Sequence, residues 1–480
     1  MRFPGFIGPS YTLQSVNVDC QRCINLYPEI NEIGFGKEKE TASLVSTPGL
    51  LNVATIGTGP LRGIYYSSDG ALYVVSYNKI YKLNSSFSAT EIGTLNTFTS
   101  TISFADNGTT LVFVDGTDGF YSTLGSSSIT EITDVDFKPA DVVVYQDGYF
   151  IFNESGTGKF FISGLNDVTI DGLDFASAEG NPDNIISIIS DHRDLWLFGT
   201  QTTEVFFNSG NADFPFERIN GAFLEHGCAA TFSVAKMNNS VFWLSSDDKG
   251  NGLIYMARGY QPQRISTHAV EYAIRGYSNI SDAIAYTYQE NGHHFYVLNF
   301  PSASTTWVYD ASTNFWHERV YTNNGEFERH RANYHAFAFN KHIVADYASN
   351  KLYEMNSQYY TDDGSEITRQ RTAPHLTSGL KSVFYGSFQL DMETGVGLDG
   401  ASSVQGYDPQ AMLQFSDDGG HSWSNEKWTS FGKIGRRSQR AIWRRLGYSR
   451  DRVFRITITD PVKIAIIGAE LDVSLEDGNG

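Results

Sequence analysis

Leu111-Val112-Phe113-Val114, the turn Asp115-Gly116, the short strand Gly119-Phe120-Tyr121 and the polar segment Thr130-Glu131-Ile132 follow one another within one short stretch of chain. An apolar core, a Gly-containing turn and two further strand-like segments read as antiparallel strands in sequence order. The same grammar recurs. Further cores are Leu72-Tyr73-Val74-Val75, Tyr149-Phe150-Ile151-Phe152, Leu195-Trp196-Leu197-Phe198, Val241-Phe242-Trp243-Leu244 and Phe295-Tyr296-Val297-Leu298, with a weaker Ile343-Val344-Ala345. A second strand follows each core, as in Lys79-Ile80-Tyr81-Lys82-Leu83, Glu204-Val205-Phe206-Phe207 and Trp307-Val308-Tyr309. In several units a third strand precedes the core (Gly63-Ile64-Tyr65-Tyr66, Ala283-Ile284-Ala285-Tyr286), and most close on a polar fourth (Phe216-Glu217-Arg218-Ile219, His317-Glu318-Arg319-Val320). Four strands in each unit of roughly 40–50 residues, repeated six or seven times, is the pattern of a β-propeller. One four-stranded sheet cannot bury both its faces, so the units stack radially and each covers its neighbour. Six blades are expected if the Ile343 unit stands apart, and seven if it closes the ring with the Leu72 unit.

The grammar changes after about Pro374. Strands are read at Lys381–Leu390, Ala411–Ser416, Val453–Ile458 and Lys463–Ile467, separated by a Gly/Asp-rich loop. The expected organisation is all-β: an extended arm with little regular structure over 1–60, a propeller over 61–375, and a β-sandwich-like module over 376–480.

Composition agrees. The 480 residues are 41% hydrophobic and 19% charged, with 33 Phe and 27 Tyr against 6 Met, which excludes a disordered chain or a coiled coil. Acids outnumber bases 54 to 35, a net charge of −19, so wrapping of nucleic acid along the chain is not expected. No stretch approaches the ~20 apolar residues of a membrane helix. The opening Met1-Arg2-Phe3-Pro4-Gly5-Phe6 lacks the apolar core of a signal peptide. Three cysteines do not make a disulfide framework, and folding in a reducing cytoplasm is expected.

No motif points to catalysis, a cofactor or a metal. Cys20-Gln21-Arg22-Cys23 is a lone pair with Cys228 far away, two ligands short of a zinc site. His317, His330, His335 and His342 show no ligand spacing and read as core or rim residues. There is no P-loop, dinucleotide fingerprint or nucleophile elbow.

Two features stand out. Ser416-Asp417-Asp418-Gly419-Gly420-His421-Ser422-Trp423 matches the Asp-box pattern, in which Asp418 accepts backbone N–H groups across a hairpin, Gly420 supplies an unusual backbone angle and Trp423 packs underneath. Sialidases carry several such boxes on propellers; here one lies outside the repeats, and Ser416, Asp418, Gly420 and Trp423 read as a folding device. The second feature is a basic run: Lys427, Lys433, Arg436, Arg437, Arg440, Arg444, Arg445, Arg450, Arg452 and Arg455 against the single acid Asp451. It reads either as a docking patch for an acidic partner or phosphates, or as a solvated strand pair bridging to the chain's own acids.

Several segments together resemble a known family. Gly8-Pro9-Ser10-Tyr11-Thr12-Leu13-Gln14-Ser15, Asp19-Cys20-Gln21-Arg22-Cys23-Ile24-Asn25-Leu26-Tyr27-Pro28-Glu29 and Thr47-Pro48-Gly49-Leu50 open the chain. Asp194–Gly199 with Thr203–Phe206, Val308-Tyr309-Asp310, Arg444-Arg445-Leu446-Gly447, Arg452–Arg455 and Asp460-Pro461-Val462 follow in order. This is similar to the packaged-DNA stabilisation proteins, or tail hubs, of short-tailed bacteriophages. The resemblance implies a non-enzymatic virion protein, made in the host cytoplasm. Six copies would form a nozzle ring below the portal and the head-to-tail adaptor, let double-stranded DNA pass, help retain it, and carry tailspikes or fibres and a plug or needle. On that reading Lys433, Arg436, Arg437, Arg440, Arg444, Arg445, Arg450 and Arg452 contact another subunit or the adaptor, not DNA. A carbohydrate-active or glycan-binding propeller is the alternative from another class, and a solute-binding or signalling propeller a third.

Overall fold

Along Leu111–Val114 alternate side chains point to opposite faces, and each face buries against a different neighbour. Leu111 and Phe113 pack with Tyr73 and Val75 of the preceding unit, whereas Val112 and Val114 pack with Phe150 and Phe152 of the next. That division of one strand between two seams is why such a core strand is apolar on both faces. The computed structural model describes residues 1–31, 42–178, 180–247, 249–379 and 381–475.

Among these residues the sheets form seven blades, each ordered from the inner strand outward. Blades one to six run over Leu61–Thr94, Ser103–Glu131, Val143–Ser177, Ile185–Leu224, Ala235–Arg264 and Ile284–Glu318. The apolar cores read from the sequence are their second strands. One helix, His268–Arg275, joins blades five and six; the Thr267 hydroxyl caps it by accepting the Val270 N–H at 3.3 Å.

The seventh blade closes the ring with a borrowed strand. Ala332–Ala338, Lys341–Asp346 and Lys351–Asn356 supply three strands, and Gly49–Thr55 supplies the fourth, antiparallel from Lys351↔Thr55 to Asn356↔Gly49. The Ile343 unit therefore meets the Leu72 unit through packing: Ile343, Ala345 and Leu352 bury against Leu72, Val74 and Leu83. Leu50 enters the seam between blades six and seven, with Phe295, Val297 and Val344. Seven blades share seven buried seams, whereas an open fan would have six.

The expectation of an arm with little regular structure is corrected. Cys20–Ile24, Leu26–Ile30, Ala42–Ser46 and Gly49–Thr55 are all strands; residues 32–41 lie outside the described residues. Each finds its hydrogen-bond partners in the sheets, three of them in segments far along the chain, which local sequence does not reveal. The C-terminal module is a two-sheet sandwich that the arm helps to build. One sheet runs Leu26–Ile30, Ala42–Ser46, Ala465–Leu475, Val383–Met392, Ala441–Ser449. The other runs Cys20–Ile24, Arg369–Thr372, Asp451–Ile458, Gln410–Ser416, Lys427–Ser430. Phe3, Phe6, Cys23, Leu26 and Leu44 of the arm share its core with Phe388, Trp443, Phe454 and Ile456. Residues 380 and 476–480 of the expected module also lie outside the described residues.

Cys20–Ile24 lies beside the outer strand of blade six through the parallel pair Ile24↔Glu318, so the second sheet continues that blade outward. At about 4.8 Å per strand, Lys427–Ser430 stands about 24 Å beyond the rim of blade six. No helix among the described residues is long and apolar enough to cross a membrane.

Candidate docking site on the C-terminal sandwich

The outer end of the sandwich brings together the Asp-box hairpin and the basic run. In the hairpin, Asp418 accepts from the Ser416 hydroxyl at 2.7 Å, from the Ser422 N–H at 2.9 Å and from the Ser422 hydroxyl at 2.5 Å. The Ser422 groups first, and then the Ser416 hydroxyl, hold its carboxyl well below the usual carboxylate range. Gly419 (φ +75°) and Gly420 (φ +97°) need the left-handed region, and a Cβ on Gly419 would fall 1.9 Å from Asn17 Oδ1. The hairpin thus seats on the arm near Asn17 and Cys20. Trp423 lies under the Arg455 guanidinium, 3.9 Å from ring centre to Cζ, and Arg455 also donates to Gln414 Oε1 at 3.0 and 2.6 Å.

The basic residues divide into two groups. Arg452 does not belong to a docking surface, which corrects the expectation. It is 1% exposed, donates to both oxygens of Asp417 at 2.6 Å and to the Leu446 carbonyl at 2.6 Å, and stacks on Phe415 and Tyr385. A guanidinium in the core is tolerable only with such full pairing. The signal was in the sequence: in strand Asp451–Ile458, Arg452 is in phase with the inward Phe454, Ile456 and Ile458. Lys433 is half-buried over the Tyr407 ring at 4.6 Å. Arg440 is exposed and donates to Gln389. Arg436, Arg437, Arg444, Arg445 and Arg450 are exposed and form no ion pair among the described residues. Arg444 and Arg445 lie on strand Ala441–Ser449, an edge of its sheet, where a shift of register opposite Tyr385–Ser387 turns both outward; Arg445 has φ +60°.

Five buried arginines outside the basic run, Arg62, Arg319, Arg329, Arg369 and Arg371, escaped the sequence reading. Arg319, Arg369 and Arg371 are each about 1% exposed or less. Arg371 donates to the carbonyls of Phe6 (2.7 Å), Pro9 (2.8 Å), Gly5 (3.2 Å) and Arg22 (3.4 Å) and to Gln21 Oε1 (2.6 Å), fastening the arm. Arg369 binds Ser46 Oγ and the carbonyls of Ile367, Tyr360 and Asp460.

A further tie is His375. Nδ1 meets both oxygens of Asp451 at 2.9 Å and Nε2 meets the Val16 carbonyl at 2.9 Å. Carboxylate and carbonyl both only accept, so both ring nitrogens donate and the ring is an imidazolium. The Cys20 sulfur near Nε2, then Asp451 and the Val16 carbonyl, raise its pKa to about 9 against the effect of burial. The ordinary value is 6.5, so this tie stabilises fully below about pH 6.5 and is lost as pH rises through 9. The melting temperature should therefore fall between pH 7 and 9.5, and fall less in His375→Gln. Equal slopes in the two proteins would show that the tie carries no stability.

Cys20 and Cys23 are free, buried thiols, and burial pushes Cys23 up to about 12. His317 and His330 are buried, and His335 stacks on His342 with ring nitrogens 2.9 Å apart. No group of three His, Cys, Asp or Glu among the described residues is arranged to hold a metal. A cavity of about 540 Å³ opens between the starts of the inner strands of blades one, six and seven. Its one carboxylate is Asp282, Arg62 spends its guanidinium on Tyr77, Thr97 and Ser100, and Arg329 stacks on Tyr347. Nothing there offers the paired acids of a glycosidase.

A family model described as "Bacteriophage P22 Gp10, beta-propeller" matches residues 16–360, and one described as "Bacteriophage P22 Gp10, beta-sandwich" matches residues 368–474. No curated protein matches the chain. Solved structures of similar shape include the N-terminal domain of Nup159 (TM-score 0.43, 10% identity, covering 70% of this chain and 99% of that one). They also include the WD40 domain of Neurospora crassa Pan2 (TM-score 0.41, 10% identity, 62% and 89%). A third is the Cps50 (Swd1) propeller of Myceliophteria thermophila (TM-score 0.42, 8% identity, 64% and 99%).

Proposed function

The chain belongs to the bacteriophage P22 Gp10 family, a Gp10-type tail protein that stabilises packaged DNA, and from that premise we propose that it forms the nozzle ring of the tail. In this reading six copies continue the DNA channel below the portal and adaptor, retain the genome until ejection, and anchor tailspikes or fibres and a plug. The observation that carries it is the pair of matches, propeller then sandwich, in order over residues 16–474.

The physical character of the molecule supports the role. A closed ring of seven blades fused to a sandwich through one continuous sheet is a stiff body with loops on every side. A net charge of −19 repels phosphate, so DNA would slide past without sticking. The unpaired arginines at the end of the sandwich serve docking to an acidic protein surface of the tail. The role is contact and shape, without bond-breaking.

Deletion of the gene from the phage tests this. Heads should fill with DNA and then lose it on purification, and the protein supplied in trans should restore full heads and infectivity. Stable, full and infectious particles without the protein would overturn the reading.

A further inference from the structure

Two surfaces of opposite charge lie at opposite ends of the molecule. The first is on blade three. Its outer strand, Ile170–Ser177, loses register against Lys159–Ser163, so residues 171–174 stand out from the sheet. Gly172 sits against Asp136, a Cβ there falling 2.6 Å from Asp136 Oδ1, which places Val135 next to this bulge. Val135 and Leu173 are 87% and 83% exposed, the two most exposed large apolar side chains among the described residues. Asp134, Asp136, Asp171 and Asp174 surround them, and none forms an ion pair among the described residues.

The second surface is the edge strand Ala441–Ser449, nine residues or about 30 Å long. It presents Arg440, Arg444, Arg445 and Arg450 with Tyr448, which is 59% exposed. Glu470 and Asp472 stand two strands away on the same sheet and pair with none of these arginines. Each surface combines exposed apolar area with an excess of charge of one sign, acidic on blade three beside the exposed Lys138 and basic on the sandwich edge, the composition of an unfilled interface.

They cannot meet within one chain. The sandwich extends blade six, and blade three is three steps away in a ring of seven. Complementary patches on opposite ends of one body make a heterologous, head-to-tail contact, which closes into a ring when the rotation per copy allows. We propose that the acidic bulge of blade three docks on the arginine edge of the sandwich of a second copy of this chain. The occupant is a second copy because the charge, size and apolar content of each surface answer the other. Leu173 and Val135 would lie against Tyr448, with Asp171 and Asp174 facing Arg444 and Arg445. The proposal rests on the multi-copy tail role above and names the contact that builds it.

Charge exchange tests it. R444E/R445E and D171K/D174K should each leave urea stability nearly unchanged, since Arg444, Arg445 and Asp171 are exposed and the half-buried Asp174 forms no ion pair among the described residues, and each alone should stay monomeric by sedimentation. Mixed in equal amounts they should assemble, because every contact in an alternating, even-membered ring is again between opposite charges. Wild-type assembly should weaken as salt rises. Assembly of either variant alone as in wild type, failure of the mixture to assemble, or a wild-type protein that stays monomeric at the highest attainable concentration and low salt would each overturn the contact. If R444E/R445E self-assembles but no longer joins the tail, the arginines face another tail protein and the contact is overturned. Retention of DNA by wild-type particles is read separately, so the tail role can stand when this contact fails.

Discussion

Arg371→Met should lower the stability of the protein by about 3 kcal/mol or more and release the first 24 residues to protease. The guanidinium is wholly buried and its partners are four backbone carbonyls and one amide oxygen, with no carboxylate among them. Burial lowers its pKa to about 10, which still leaves it charged at neutral pH. Methionine fills similar space but donates nothing. The carbonyls of Gly5, Phe6 and Pro9 would then be dry and unpaired, or the arm would peel away to find water and take Phe3 and Phe6 out of the sandwich core. Arg445→Met, at an exposed position, should change stability by no more than about 0.5 kcal/mol. Urea midpoints measure both. A midpoint for Arg371→Met equal to that of wild type would show that the arm is held by its apolar residues alone.

Leu50→Ala should cost about 3 kcal/mol, while Leu51→Ala should cost little. The two are neighbours on the closing strand, but Leu50 is 1% exposed in the seam between blades six and seven and Leu51 is 46% exposed on the opposite face. The difference depends on Gly49–Thr55 completing blade seven. If that segment hung free, both substitutions would be mild and similar. Thermal or urea unfolding of the pair decides it, with equal small effects contradicting ring closure by the arm.

The propeller was legible because its information is local. Leu195-Trp196-Leu197-Phe198 and its relatives announce strands buried on both faces, and their spacing announces the repeat. The closing strand was not legible. Gly49-Leu50-Leu51-Asn52-Val53 has a strand-like composition, but its partner is Lys351–Asn356, on the far side of six blades, and no local pattern names a partner. Strand Arg369-Gln370-Arg371-Thr372 is buried at every position though it contains no apolar residue, so its polarity hid it. Its burial is possible because distant carbonyls satisfy both arginines. At the basic run, composition could not separate Arg452 from Arg450. Strand phase could, and Asp417 on the neighbouring Asp box completes the distinction.

The Asp-box residues show how a surface motif can hold two parts of a chain together. Asp418 organises the hairpin and Asp417 grips Arg452, while Gly419 and Gly420 let the turn approach Asn17 and Cys20.

The most direct test of the central claim is a three-dimensional reconstruction of the phage tail by electron cryomicroscopy. Several copies of this seven-bladed propeller and its sandwich should surround the DNA channel below the portal and adaptor, with the arginine edge of one copy facing blade three of the next. A complete, DNA-filled tail in which no density fits the propeller would contradict it.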